Sequence, residues 1–395
     1  MSQPFLPFAR PDIDEATIAG VVEVLRSGWI TTGPHVGRFE QALSSYVGGR
    51  TVRVLTSATA ALEVALLVAG IKPGDEVILP ALSFVASANV ILRIGARPVF
   101  VDVDLKTRNI DLDQVEAAIT RRTRAIMPVH FAGLPVDLDR LYSLARAHQL
   151  RVIEDAAHAI GTYWRGKPVG AVGDLVCFSF HPNKVITTIE GGAIVLTNAD
   201  ETAAVELHRF HGLRRDADGE SEVYLAGGKY NLSDVSARIG LGQLARLSEF
   251  VSRRQHLAWR YLDALADWTV GDLPARGDDG HSWHLMTVLL PFEELGMTRP
   301  GFVRAMRDAG IGIGVHYSSM PSFELYRKLG YDPRAYPNAD RIGRETVSLP
   351  LFPAMTDLDV DRVCDTLRRL AKPARASVSA APVRPAERAA AAAKR

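Results

Sequence analysis

Between residues 52 and 155 short apolar runs alternate with stretches of helical spacing. The runs at 52–55, 76–79, 98–103, 124–129 and 152–153 read as buried strands. Helical periodicity fills the intervals at 57–69, 83–94, 111–119 and 137–148, with Gly70 as a stop and Lys72-Pro73-Gly74-Asp75 as a turn. Strands spaced by helices predict a mostly parallel central sheet flanked by helices, an α/β fold. Two more strands, 175–180 and 193–197, are joined by a link too short for a helical crossover, which points to an antiparallel pair. An amphipathic helix is predicted at 12–26, with Asp12 or Asp14 as its N-cap. The Gly- and Pro-bounded loop 27–34 follows it.

After about residue 200 the texture changes. A helix at 201–209 leads into a polar, Gly-rich loop at 211–229, and a long helical stretch at 232–265 has room for one break. The segment 271–280 opens into a smaller α+β region with strands at 283–290 and 312–317 and helices at 299–309 and 357–370. The predicted division is a large domain at 1–250, a small C-terminal domain at 251–372 and a tail at 373–395. That tail is rich in Ala, Arg and Pro, lacks large apolar residues and is predicted to be disordered.

Composition narrows the class. With 395 residues, 47% hydrophobic and 23% charged, the chain suits a soluble globular protein of two domains. A net charge of +1 argues against a dedicated nucleic-acid binder. Two cysteines make neither a disulfide framework nor a cysteine zinc site, and Cys177 reads as a small core residue. No signal peptide and no membrane-spanning run is seen, so a cytoplasmic protein without membrane insertion is expected. The 11 histidines show no metal-ligand spacing, so no metal is expected. GxSxG, P-loop and dinucleotide fingerprints are missing.

Candidate chemistry concentrates where the predicted strands end, the edge at which open α/β sheets bind ligands. Lys184 lies on a loop past the strand at 175–180, behind Pro182, which stops further pairing. A lysine partly buried there drops its pKa toward the range that forms a Schiff base. Asp155 ends the neighbouring strand and faces the same edge. It suits a helix N-cap, or the partner of the pyridinium nitrogen that lets pyridoxal phosphate (PLP) act as an electron sink. In Thr56-Ser57-Ala58-Thr59-Ala60-Ala61-Leu62 small and hydroxylic residues open a helix, whose free N–H groups and dipole suit a phosphate. Ser179 can add a hydroxyl to the same phosphate. Phe84, past the strand at 76–79, can stack on a flat ring or serve as core. His158 can bond a phenolic oxygen or satisfy a buried backbone group. Trp29 and Thr31 sit between loop breakers and are candidates to line a site.

In order, that helix start, Pro73-Gly74-Asp75-Glu76-Val77-Ile78, Pro98-Val99-Phe100-Val101-Asp102-Val103-Asp104, Val152-Ile153-Glu154-Asp155-Ala156-Ala157-His158, Phe178-Ser179-Phe180-His181 with Lys184, Glu190-Gly191-Gly192 and Ser348-Leu349-Pro350-Leu351-Phe352-Pro353 resemble the DegT-type sugar-nucleotide aminotransferases. The likeness covers roughly residues 5–370, and the ordered set is far more specific than any one motif. It implies a fold-type I PLP enzyme, a homodimer with shared active sites. By carry-over Lys184 forms the Schiff base with PLP, Asp155 pairs with the pyridine nitrogen, Phe84 stacks on the ring and His158 lies near the phenolic oxygen. Thr59, Ala60 and Ser179 match the phosphate cup. Asn231 matches an asparagine that reaches the phosphate of the neighbouring subunit, which places the 211–232 loop across the interface. Trp29, Thr31, Lys229, His316 and Tyr317 fall on the substrate side. The implied reaction is a ping-pong transfer from glutamate (or glutamine) through pyridoxamine phosphate to a nucleotide keto-sugar, for cell-envelope glycan, lipid A or amino-sugar synthesis.

Within the family, Phe210-His211-Gly212-Leu213, Lys229-Tyr230-Asn231-Leu232 and Trp283-His284-Leu285 look like the UDP-4-amino-4-deoxy-L-arabinose–oxoglutarate aminotransferase subgroup. The chain departs from it at Phe84, where that subgroup usually has Trp, and at Pro321, where a second histidine often follows. Three rival readings remain. PLP-dependent sugar dehydratases share the fold but replace the lysine with histidine, so Lys184 counts against them. Regulators on this fold are fused to a DNA-binding module, and no helix-turn-helix or basic patch is seen. The third is a nucleotide-binding α/β domain without PLP.

Overall fold

The computed structural model describes residues 4–372, so the tail expected to be disordered lies outside the described residues. Seven strands build the central sheet: β1 (Val52–Leu55), β2 (Glu76–Pro80), β3 (Arg97–Val101), β4 (Thr123–Ile126), β5 (Arg151–Asp155), β6 (Leu175–Ser179) and β7 (Gly192–Val195). Their order is β1-β7-β6-β5-β4-β2-β3. Strands β2 to β6 pair in parallel. β7 runs antiparallel between β6 and β1, as its short link to β6 predicts. The carboxyl ends of β1, β2, β5 and β6 therefore meet at one edge, where β7 begins.

Twelve helices matter to the architecture: α1 (Glu15–Ser27), α2 (Pro34–Tyr46), α3 (Ala58–Val68), α4 (Ala86–Arg93), α5 (Leu112–Ala118), α6 (Leu138–Ala147), α7 (Ala199–Arg209), α8 (Asp234–Ala245), α9 (Leu247–Ala264), α10 (Arg299–Asp308), α11 (Pro337–Glu345) and α12 (Asp357–Leu370). Helices cover both sheet faces, and the strands split their side chains between them with a period of two. In β2, Val77 and Leu79 join the cluster of Leu62, Leu66 and Ile91 on the side of α3 and α4. Ile78 points the other way, with Ile126, Val152 and Leu141. The same alternation turns Asp155 toward Ser87 and Glu154 toward His130 and Tyr142.

Two strands, β8 (Met286–Leu289) and β9 (Thr346–Leu349), pair antiparallel in the C-terminal part. Their apolar faces pack with α9, α10 and α12 around Leu257, Tyr261, Trp283, Phe302 and Val363.

The expected helical stretch at 232–265 breaks once, at Arg246 between α8 and α9. The segment at 211–229 carries a small hairpin, Leu213–Arg215 against Ser221–Val223. Alternation suggests a strand at 312–317, but that segment makes only the isolated bridge Gly314 to Ser348. Two helices, α2 and α11, are not among the expected elements, although each opens on a proline, Pro34 and Pro337. Their N-cap residues, Gly33 and Tyr336, give no side-chain cap. Distant aspartates supply it. Asp234, on α8, accepts from the N–H groups of Gly33 (2.9 Å), His35 (3.1 Å) and Val36 (2.9 Å). Asp102, just past β3, accepts from Asn338 (2.9 Å) and Ala339 (2.8 Å).

Candidate active site

A cavity of about 270 Å³ opens at the carboxyl edge of the sheet. Its floor comes from β5 and β6, one end from the start of α3, and the opposite wall from Phe84, His158, His316 and Tyr317.

Lys184 stands on the loop between β6 and β7. The loop is tied down because Phe180 O accepts from Thr187 Oγ1 (3.0 Å) and from Thr188 N (2.9 Å). His181 O holds the Lys184 N–H at 2.9 Å. The side chain is partly buried. Loss of hydration lowers its pKa to about 8, with the Asp155 carboxylate pulling the other way. At neutral pH a useful fraction of such an amine is unprotonated, as a nucleophile requires.

Asp155 is buried at the end of β5. Its Oδ2 accepts from Ser87 Oγ at 2.7 Å and its Oδ1 from Ala157 N at 3.1 Å. Ser87 Oγ also lies 3.0 Å from Ser83 Oγ. Burial raises the Asp155 pKa, while these hydrogen bonds and the Lys184 and His130 charges oppose the rise.

At the start of α3, Ser57 Oγ accepts from Ala60 N at 3.1 Å. The Ala60 amide, one of the expected phosphate donors, is therefore already paired. Ala58 and Thr59 keep first-turn N–H groups with no intrahelical acceptor. Gly192 lets β7 approach this turn. A Cβ there would lie 2.4 Å from both Ala58 N and Ser57 C, so any side chain would push the turn aside.

His158 is buried, with Nδ1 accepting from Ala132 N at 3.2 Å and Nε2 3.0 Å from the Tyr317 hydroxyl. Burial and the Lys184 charge hold it well below the usual imidazole range, so it stays neutral. His316 Nδ1 lies 2.8 Å from Ser348 Oγ, and its ring stacks on Phe8 at 5.0 Å. Phe84 is 56% exposed over the cavity mouth and lies 5.8 Å from the Tyr317 ring.

The fold thus brings Thr59, Phe84, Asp155, His158, Ser179, Lys184, His316 and Tyr317 to one cavity. Ala60, Trp29, Thr31, Lys229 and Asn231 do not line it. Asn231 instead donates to Thr32 Oγ1 at 2.5 Å and takes a bond from Lys229 Nζ. Trp29 Nε1 donates to Thr32 O at 3.1 Å, so these residues form a patch of their own. Sequence reasoning gave no role to Ser83, Ser87 or Asn183. The one signal for the serines is an i, i+4 hydroxyl pair just after a strand end.

An amine of lowered pKa, a fixed buried carboxylate, an open helix start and a flanking aromatic suit a planar ring bearing a carbonyl, a basic nitrogen and a phosphate. Residues 11–368 match the DegT/DnrJ/EryC1/StrS aminotransferase family. The chain belongs to that family. It is a PLP-dependent sugar aminotransferase of fold type I, and the cavity residues fit that cofactor in number and chemistry.

Solved structures agree with this aminotransferase over most of their length. A Streptococcus pneumoniae protein assigned as a sugar aminotransferase, in its PMP form, is 35% identical with a TM-score of 0.87, covering 93% of this chain and 98% of its own. PseC of Helicobacter pylori, an aminotransferase of pseudoaminic acid biosynthesis, is 29% identical with a TM-score of 0.87, covering 93% and 99%. DesI, solved in the presence of its TDP-sugar product, is 32% identical with a TM-score of 0.84, covering 94% of each chain.

Proposed function

We propose that this aminotransferase moves the amino group of glutamate, with glutamine as the alternative donor, to a keto-sugar carried on a nucleotide. A UDP-linked 4-keto-sugar is the favoured acceptor, and cell-envelope or amino-sugar glycans are the destination. The observation that carries the reading is Lys184, an amine lowered to about 8 beside the hydrogen-bonded carboxylate of Asp155, in a cavity that ends on an open helix start. When bound, PLP supplies an electron sink that takes up the amino group in one half-reaction and yields it in the other. Lys184 anchors the cofactor at rest. Once released it takes a proton from one carbon and returns it to another, as base and then acid. Asp155 keeps the ring nitrogen protonated. The Ala58 and Thr59 amides and the Ser179 hydroxyl hold the phosphate, and Phe84 covers the ring and limits water.

The acceptor class draws support from DesI, solved with a TDP-sugar, and from PseC, which serves pseudoaminic acid. A homodimer with shared sites is part of the proposal. Trp29 and Phe210 are exposed and adjoin the Asn231 patch, Trp29 through Thr32 and Phe210 under Lys229 Nζ, and exposed apolar groups so placed suit a protein interface. Dehydratase chemistry is disfavoured because Lys184 is present.

The test is single turnover of pyridoxamine-phosphate-loaded protein against nucleotide keto-sugars that differ in nucleotide and in keto position. Amination of a UDP-4-keto-sugar before the others is expected. Faster amination of a 3-keto or TDP-linked sugar would replace the acceptor, and no amination of any would remove the class. Lys184→Ala should lose both the visible absorption of the lysine-linked cofactor and turnover.

A further inference from the structure

The wall of the cavity opposite α3 has a fixed hydrogen-bond direction. The Ala132 backbone N–H can only donate, so His158 Nδ1, 3.2 Å away, must be the acceptor. A neutral ring that accepts at Nδ1 carries its proton at Nε2. That proton points at the Tyr317 oxygen, 3.0 Å away. His284 packs against the same ring at 4.5 Å between centroids, but neither of its nitrogens has a partner and it offers no competing bond. The Ala132 peptide is held from its other side too, since Ala132 O accepts from His284 N at 2.9 Å. Tyr317 therefore receives a hydrogen bond, and among the described residues its own O–H has no acceptor. It lines the cavity.

The order of strand ends says which part of a PLP ring meets this wall. The anion-binding start of α3 follows β1, Lys184 and Asp155 follow β6 and β5, and His158 and Tyr317 lie beyond β5 on the side of Phe84. In PLP the carbonyl carbon is flanked by the phosphate arm on one side and the phenolic oxygen on the other. With the arm at α3 and the carbon at Lys184, the phenolic oxygen falls toward Tyr317.

We propose that Tyr317, not His158, donates the hydrogen bond to the phenolic oxygen of bound PLP, and that His158 is the positioning residue that sets its direction. This rests on the reading of the cavity as a PLP site. It moves Tyr317 from the substrate side to the cofactor. The titratable and charged groups around this wall are Lys184, Asp155, His158, His284 and His316, with His130 and Arg254 behind the two histidine rings.

The phenolic oxygen shares a proton with the lysine-linked nitrogen. A donor on that oxygen draws off its charge and eases loss of the proton, so removing the donor raises the pH at which the visible band changes. Holoenzyme of the parent and of Tyr317→Phe should be titrated in the visible range. The expected result is an upward shift of the midpoint by about one unit, a tenfold change in proton affinity. If the parent has a band that Lys184→Ala abolishes, yet Tyr317→Phe titrates like the parent, the Tyr317 assignment falls while the PLP site stands. If the parent shows no band, the PLP reading falls and this proposal with it. Should Tyr317→Phe fail to take up PLP, nitrogen NMR of the histidine-labelled parent decides. His158 protonated at Nε2 supports the proposal, and protonation at Nδ1 overturns it.

Discussion

Removing the Ser87 hydroxyl should make stability depend on pH through Asp155. Ser87 is fully buried and donates to Asp155 Oδ2 at 2.7 Å. A hydrogen bond to a charged group contributes about 1.5–3 kcal/mol. The bond favours the ionised carboxylate and holds its pKa down. Burial already holds Asp155 above its ordinary value of 3.8. A carboxyl raised in the fold contributes stability that is complete below its unfolded pKa and is lost as pH climbs through its folded pKa. Ser87→Ala lifts the folded pKa further. Parent and variant should therefore unfold alike in acid and diverge as pH rises, the parent being more stable. The gap should reach about 1.5–3 kcal/mol once pH exceeds the variant's pKa. Urea midpoints of the cofactor-free chain between about pH 5 and about pH 8 measure it. Ser87→Thr keeps the hydroxyl and should track the parent. A gap of the same size at every pH would refute the argument, since lost packing alone behaves that way.

Gly192→Ala should push back the first turn of α3, at a cost of about 1–3 kcal/mol, and weaken PLP far more than phosphate-free pyridoxal in binding titrations. Asp234→Ala leaves the N-cap amide of Gly33 and the first-turn amides of His35 and Val36 without their acceptor, and calorimetry should show a loss of about 2–5 kcal/mol. Burial holds His158 well below its ordinary value and His316 at about 4, so neither ring should contribute a limb near pH ~6.5 to the pH profile of turnover. If Asn231 of the partner subunit completes each site, mixing inactive Lys184→Ala and Asn231→Ala chains should restore activity through heterodimers. Homodimers with unshared sites would leave the mixture as inactive as its parts.

The central sheet was readable because its strands are short apolar runs, most of them followed by a helix-spaced stretch. The place of Asp155 was readable for a related reason, since a polar residue that ends a buried strand is placed by the chain itself, and Lys184 lies on the short loop past the next strand. What stayed hidden depends on distant partners. Ser87 becomes meaningful only beside Asp155, 68 residues on. At 312–317 an alternating pattern looked like a strand, but Gly314 finds only Ser348, and β9 spends its edge on β8 instead. The pairing of the Ala60 amide with Ser57 Oγ is likewise a matter of side-chain direction that the order of residues does not specify.

Asp102 and Asp234 have a consequence for the order in which the chain folds. Helices α1, α3, α6, α7 and α12 carry their caps beside them, in Asp14, Ser57, Asp137, Asn198 and Thr356. Each can close its first turn from its own sequence. α2 and α11 cannot, because their acceptors lie 198 and 236 residues away along the chain. They become stable only once parts of the chain far apart in sequence have met, so each reports long-range assembly rather than closure of a local segment. Hydrogen exchange should show it, with the amides of Val36 and Ala339 opening only in global unfolding. If they exchange through local fraying, the two helices stand on their own.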